Sequence, residues 1–208
     1  MGVRSMKERL LVRVEREVRA RLSARRLRHV VGTVRTAARL ARRHGIDPAR
    51  ARLAAWLHDA AKETPLAGMR RALRGTPYRW DAGERRIPGL RHPKAGAAMG
   101  YHWGVRDAGV LRAAANHTLG RPGMDALETL LFVADYIEPG RACREVRRAR
   151  RAASRDLLDA ALAKAEATLS YLGRRGGAVH PRLVQTRDWI LRRRSRGTVC
   201  GRRERKNP

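Results

Sequence analysis

A chain of 208 residues is long enough to bury a real core and fits one domain with a tail. Hydrophobic residues make up 43% and aromatics 4%, so the core must come from Leu, Val, Ala and a few Trp; with no sustained strand-like alternation, the fold expected is all-α. The formal net charge of +29 comes almost wholly from Arg, which excludes an acidic binding module and invites a polyanionic partner. Arg is spread through every expected helix, so biased residue usage is the preferred explanation and any nucleic-acid contact is expected to be non-specific. Cys143 and Cys200 are isolated and give no disulfide framework. The N-terminus has no apolar signal core, and no window approaches the ~18 uncharged apolar residues of a membrane span. A cytoplasmic protein without a membrane partner is expected.

The first helix is expected from about Lys7 to Leu22, where Leu11, Val14, Val18 and Leu22 share one stripe. A second, from about Arg25 to His44, repeats Leu27, Val30, Val31, Val34, Ala38 and Ala41, and Gly45 stops it. Asp47-Pro48 reads as an N-cap followed by Pro at the first helical position. It opens a third helix that carries Leu53, Trp56 and Leu57 inward and ends near Thr64-Pro65, where a short fourth begins. Residues 75–90, rich in Gly, Pro and charge, read as an irregular loop. His92-Pro93 opens a helix to about Trp103, and Asp107 caps another that ends near His117. Asp125 with Glu128 resembles a capping box for a helix reaching about Ile137, stopped by Glu138-Pro139-Gly140. Helices over about Arg144–Ala153, Ser154–Leu172 and Pro181–Arg193 complete a single-domain helical bundle. In that division residues 1–24 are an N-terminal helix packing on the domain, 25–195 are the domain, and 196–208 are a basic, disordered tail.

The chemistry lies in the histidines. His58 and Asp59 are adjacent in the apolar string Leu53–Ala61, and neighbours about 100° apart on a helix can flank one point in space. A carboxylate can bridge two metal ions while an imidazole caps one of them, and Lys62 follows one turn on. A His-Asp pair alone is weak evidence; its partners change the reading. His29 lies in the apolar helix upstream, and Asp135 lies in Leu130–Ile137. A carboxylate in so apolar a run needs a cation beside it. No basic residue falls among its helical neighbours, so a metal ion is the partner expected.

The order His29, His58-Asp59, Asp135 resembles the HD-superfamily phosphohydrolases, from about residue 25 to residue 190. Longer strings narrow the resemblance: Leu57–Lys62, His92-Pro93, His117–Met124 and Phe132–Arg141 look like the YqeK-type symmetrical bis(5′-nucleosyl)-tetraphosphatases. The resemblance implies an HD-domain helical bundle with a dinuclear divalent-metal centre, usually iron, that cleaves diadenosine tetraphosphate into two ADP. It makes His29, His58, Asp59 and Asp135 the core ligands and His92 and His117 the imidazoles that hold a second metal. Lys62 and Arg141 match positions near the phosphates, and the Val179-His180-Pro181 segment resembles a loop over the nucleotide. Asp59 and Lys62 are the residues expected to carry catalysis, with Lys62, Thr118, Arg121, Arg141, His180 and Pro181 contacting substrate. Imidazole and carboxylate ligands suit iron, manganese or zinc, and metal-bound hydroxide would attack phosphorus in line with ADP leaving.

Two other readings stand beside this one. The same ligands would serve another HD-type nucleotide phosphohydrolase or phosphodiesterase, since pocket shape is poorly visible in sequence. A nucleic-acid-binding helical protein with a vestigial site would suit the charge but not the complete ligand set. Among the remaining residues, His44 is read as a helix C-terminal cation, His102 as surface packing, and Trp56, Trp103 and Trp189 as core. Apolar side chains on short helices leave room for a homodimer without a residue to anchor it.

Overall fold

A computed structural model describes residues 6–203, and among these there are eleven α-helices, one 3-10 turn and no strand. In chain order they are α1 (Met6–Arg19), α2 (Ala24–Arg43), α3 (Pro48–Leu57), α4 (Leu66–Leu73), α5 (Ala82–Arg86), the 3-10 turn Pro88–Leu90, α6 (His92–His102), α7 (Ala108–Asn116), α8 (Ala126–Ile137), α9 (Arg144–Ala153), α10 (Leu157–Arg174) and α11 (Pro181–Arg203). Short polar side chains start most of them by accepting otherwise orphan backbone N–H groups: Ser23 for α2, Asp47 for α3, Asp107 for α7 and Asp156 for α10. Asp125 and Glu128 close a reciprocal capping box on α8.

The hydrophobic effect puts α8 at the centre. Leu127, Leu130, Leu131, Phe132, Val133, Ala134 and Ile137 are all buried, and a helix apolar on every side must be covered on every side. α2, α3, α7, α9 and α10 all pack against it. α1 lies on α3, burying Val14, Val18 and Leu22. α6 comes unusually close to the end of α3, because a Cβ at Gly96 would sit 2.7 Å from the Leu57 carbonyl oxygen and one at Gly100 2.8 Å from the Leu57 side chain. That approach sets the start of α6 beside the residues that follow Leu57.

Three boundaries differ from expectation. α3 ends at Leu57 rather than near Thr64, and the chain continues in tight i→i+3 turns, Ala60 N–H to Leu57, Lys62 to Asp59 and Thr64 to Ala61. His58 is therefore the C-cap of α3 and Asp59 follows it, instead of both lying inside a helix. Residues 75–90 are not irregular throughout. Asp81 and Glu84 form a second capping box that opens α5, and buried Glu84 is gripped by Lys94 Nζ at 2.6 Å and Arg182 at 3.1 Å. Partial burial works against ionised Asp81, but the Glu84 amide, His180 and Arg182 bring its carboxyl down to about 2. This network ties α5 to α6 and α11. Finally, α11 runs past Arg193 to Arg203, into the expected tail; residues 204–208 lie outside the described residues.

Of the remaining readings of single residues, Trp189, expected in the core, is only partly buried against it. His44 caps α2 and reaches the Ala153 carbonyl at 2.8 Å, while Trp56 and Trp103 are buried. No helix among the described residues is long and apolar enough to cross a membrane.

Candidate metal centre and phosphate cavity

Five helices deliver the six expected ligands. His29 and Asp135 project from within α2 and α8, His58 caps the end of α3 with Asp59 after it, His92 is the first residue of α6, and His117 caps the end of α7. They converge as two donor groups that share one carboxylate: His29, His58 and Asp59, and Asp59, His92 and His117, with the donor atoms of each group within 4.8 Å of one another. Asp59 divides its oxygens between them. Its Oδ1 lies 3.1 Å from His92 Nε2 and 3.9 Å from His117 Nε2, and its Oδ2 lies 3.6 Å from both His29 Nε2 and His58 Nε2. Asp135 Oδ1 stands 3.2 Å from His29 Nε2.

The orientation of the rings shows whether metal ions fit. His58 Nδ1 donates to the Ala55 carbonyl at 2.6 Å, His117 Nδ1 to Ala114 at 2.8 Å and His92 Nδ1 to Gly89 at 2.9 Å, each three residues earlier in the chain. His29 Nδ1 donates to Glu138 Oε1 at 3.3 Å. With the proton on Nδ1, every Nε2 presents a lone pair inward, and those lone pairs face one another at 3.2 Å (His29 and His58) and 3.3 Å (His92 and His117). Lone pairs at that distance repel unless a cation lies between them. The donor set, two groups that share Asp59, fits divalent metal ions.

Charge states agree. Burial pushes the His58 and His92 imidazoles down, and His117 is driven well down by burial and then by its two imidazole neighbours, so all three stay neutral donors. Burial opposes ionised Asp59, yet its carboxyl stays well below the usual carboxylate range. His29 is the exception, for although burial lowers it, Asp135, Asp59 and Glu138 raise it on balance.

Asp135 corrects one sequence argument. Its carboxylate does have cationic partners, supplied from outside its helix: Lys164 Nζ of α10 at 3.3 Å from Oδ2 and Arg141 at 3.1 Å from Oδ1. Burial opposes its charge too, yet Lys164, His29 and Arg141 keep it well below the ordinary carboxylate pKa. Lys164 is itself buried, which lowers its ammonium to about 8 despite Asp135, and it also donates to the His117 carbonyl at 2.9 Å and the Phe132 carbonyl at 2.7 Å.

Five of the six expected ligands, all but the fully buried His58, form the floor of a cavity of about 390 Å³ that is also lined by Arg26, Lys62, Thr118, Tyr136, Arg141, Lys164, Tyr171 and Arg174. Lys62 Nζ stands 3.3 Å from His92 Nδ1, and burial lowers its pKa. Arg26 reaches Asp59 Oδ2 at 3.1 Å. Thus Lys62, Thr118 and Arg141 are brought to the cavity, whereas Arg121, His180 and Pro181 are not among its walls. Arg121 makes a two-pronged contact with buried Glu128 at 2.8 and 2.6 Å, and His180 is held by Asp81 at 3.0 Å. Pro181 starts α11.

Sequence reasoning missed Lys164, Arg26 and Glu138. Glu138 is buried, accepts from Gly140 N–H through Oε2 at 2.6 Å, and packs against Gly32, where a Cβ would lie 2.7 Å from that oxygen and displace it. Glu138→Ala is expected to weaken metal binding at the His29 group about 10–100-fold, the usual cost of losing a ligand's outer partner, while the His92–His117 group keeps its ion. Gly32→Ala should act in the same direction by displacing the carboxylate. Competition with a chromophoric chelator measures both, and two wild-type affinities in both variants would show that His29 is oriented without Glu138.

An HD domain model matches residues 26–140. The chain is 35% identical over 175 residues to the symmetrical bis(5′-nucleosyl)-tetraphosphatase of Bacillus subtilis, covering 84% of this chain and 94% of that protein. The enzyme of the same name from Halalkalibacterium halodurans is 34% identical, with 84% and 93% covered. A crystal structure from Clostridium acetobutylicum, described as a predicted HD superfamily hydrolase involved in NAD metabolism, superposes with a TM-score of 0.81 at 32% identity, covering 92% of this chain and all of that one. The shared Asp59, the paired imidazoles and these relatives agree, and the chain belongs to the HD-domain family, in the branch of the symmetrical bis(5′-nucleosyl)-tetraphosphatases.

Proposed function

We propose that this chain is a metal-dependent hydrolase that cleaves diadenosine tetraphosphate symmetrically into two ADP. The observation that carries the chemistry is the division of the Asp59 oxygens between two imidazole groups at the floor of a cation-lined cavity. The substrate is supported by the activity for which the bacterial relatives are named. A pair of divalent ions supplies Lewis acidity, lowering the pKa of water and drawing off charge that develops on phosphate oxygens. Iron is the metal proposed, with manganese and zinc as the alternatives that the thiolate-free nitrogen and oxygen donor set also accepts.

The chain's own residues do the rest. Lys62, Arg26 and Arg141 stand around the ligands and neutralise phosphate oxygens, the arginines with the forked geometry that grips two oxygens at once. Thr118, beside His117, offers a hydroxyl to the same phosphates. Asp59 holds the two ligand groups in one geometry, so attacked phosphorus and attacking water are positioned together. A nucleotide substrate and the exposed free thiol of Cys143 suit a reducing cytoplasm.

The test is an anaerobic assay with iron(II), separating products by ion exchange. ADP as sole product, lost in His58→Ala, is the expected result. ATP plus AMP would keep a hydrolase but overturn symmetrical cleavage, and no turnover with metals bound would overturn the substrate.

A further inference from the structure

Two glutamates do more than a helix cap asks of them. Glu84 and Glu128 each occupy the third helical position of a capping box, in α5 and α8, where one oxygen facing a backbone amide is enough. Glutamates are seldom fully buried, yet these two are only 2% and 1% exposed. A buried carboxylate is tolerated when its remaining lone pairs are taken by cations or other donors. In both cases those donors come from a segment that carries an imidazole of the His92–His117 group.

Glu84 closes the chain around the turn before α6. Its Oε2 accepts from Lys94 Nζ, two residues past His92, at 2.6 Å, and its Oε1 accepts from Arg182 of α11 at 3.1 Å. Trp80 Nε1 donates to the Arg91 carbonyl at 2.9 Å, so the segment is fastened again just before His92. Inside it lies Gly89, whose carbonyl orients the His92 ring. Glu128 acts alike at the end of α7. Its Oε1 accepts from Asn116, the residue before His117, at 2.9 Å, and both its oxygens take Arg121, four residues after His117. The turn in which His117 Nδ1 reaches the Ala114 carbonyl is thereby gripped from either side. Arg121 belongs to this second clamp, and His180 joins Arg182 on Asp81, the capping partner of Glu84, in the first.

We infer that Glu84 with Arg182 and Glu128 with Arg121 are positioning residues for the His92–His117 donor group. They fix the short segments from which the two rings take their aim, and through them the affinity of that group for its ion. This rests on the metal reading of the site and not on the substrate. His29 and His58 are aimed by Glu138 and by the Ala55 carbonyl instead, so the effect is confined to one group.

A clamp is best removed as a pair, because truncating the arginine alone strands a buried carboxylate. Glu84→Gln with Arg182→Met and Glu128→Gln with Arg121→Met take away both charges, and Gln keeps the capping box. Zinc is titrated into the metal-free proteins against a chromophoric chelator, and His92→Ala identifies which affinity belongs to its group. The expected result is a fall of about tenfold at that group in each pair, the lower end of the usual cost of losing a ligand's outer support, with the His29–His58 affinity unchanged. Should a pair fail to fold, as the urea midpoint reports, the single Gln variants carry the same selective fall at smaller amplitude. Wild-type values at both groups would leave the glutamates as caps alone, and an equal fall at both would make them general supports of the fold; either overturns the clamps. A wild-type protein that takes up no second ion would overturn the metal reading and the clamps with it. Failure to cleave diadenosine tetraphosphate would leave the clamps standing and remove only the substrate.

Discussion

Asp59→Ala is expected to lose both metal ions together and to drop turnover by on the order of a thousandfold or more. Asp59 is the single side chain common to the two donor groups, with Oδ1 facing His92 and His117 and Oδ2 facing His29 and His58. Removing any one imidazole leaves the other group with its own ligands. Removing the carboxylate takes a donor from each and also the negative charge that offsets two dications. His92→Ala is the informative contrast, expected to keep one ion while Asp59→Ala keeps none. Metal analysis after desalting, beside the product assay, measures both. The fold should survive, because Asp59 lies past the end of α3 rather than in the apolar centre around Phe132, and circular dichroism checks that. A metal-free Asp59→Ala protein with full turnover would refute the dinuclear centre.

Lys164→Ala should be the most destabilising single change in the cavity wall, by about 3–5 kcal/mol. The ammonium joins three elements, donating to the His117 carbonyl at the end of α7, to the Phe132 carbonyl in α8 and to Asp135. It is 4% exposed, so water cannot take over those contacts when it goes. Lys164→Met separates volume from charge: if the cost comes from the stranded carboxylate and carbonyls, Met recovers little; if it comes from packing, Met recovers most. The shift in urea midpoint measures this, and wild-type stability in Lys164→Met would show that the buried cation contributes nothing net. The metal-free protein should show the larger loss, since bound ions compensate Asp135.

The candidate ligands were legible in two ways: His58-Asp59 after Leu57 and Asp135 inside Leu130–Ile137 stand out by their apolar context, whereas His92 and His117 entered only through the family resemblance. The caps were legible because their spacing is local, and the starts of α3, α7 and α8 follow from Asp47, Asp107 and Asp125. Lys164 was not, because one lysine among 48 basic residues carries no mark of being buried until α10 is laid against α8. The same blindness made a metal look like the only available cation for Asp135. Glu138 was read as part of a helix stop, and its carboxylate gains meaning only when Gly32, far away in sequence, lets α2 approach it. Asp81–Glu84 has the spacing of Asp125–Glu128 and signalled α5 equally well; surrounding glycines and prolines masked it. The fading apolar pattern of α11 likewise hid how far that helix runs.

Three of the four imidazoles at the centre take their tautomer from a peptide carbonyl three residues upstream, and only His29 takes it from a side chain. Point mutation cannot delete a peptide carbonyl. The aim of His58 and His117 is therefore written into the last turns of α3 and α7, and that of His92 into the 3-10 turn before α6, so it is spoiled by unwinding or shifting those segments. His29 alone has a direct partner that substitution can remove. The two donor groups are thus unequally open to substitution: the His92–His117 side is held by the backbone, and His29 by a replaceable carboxylate.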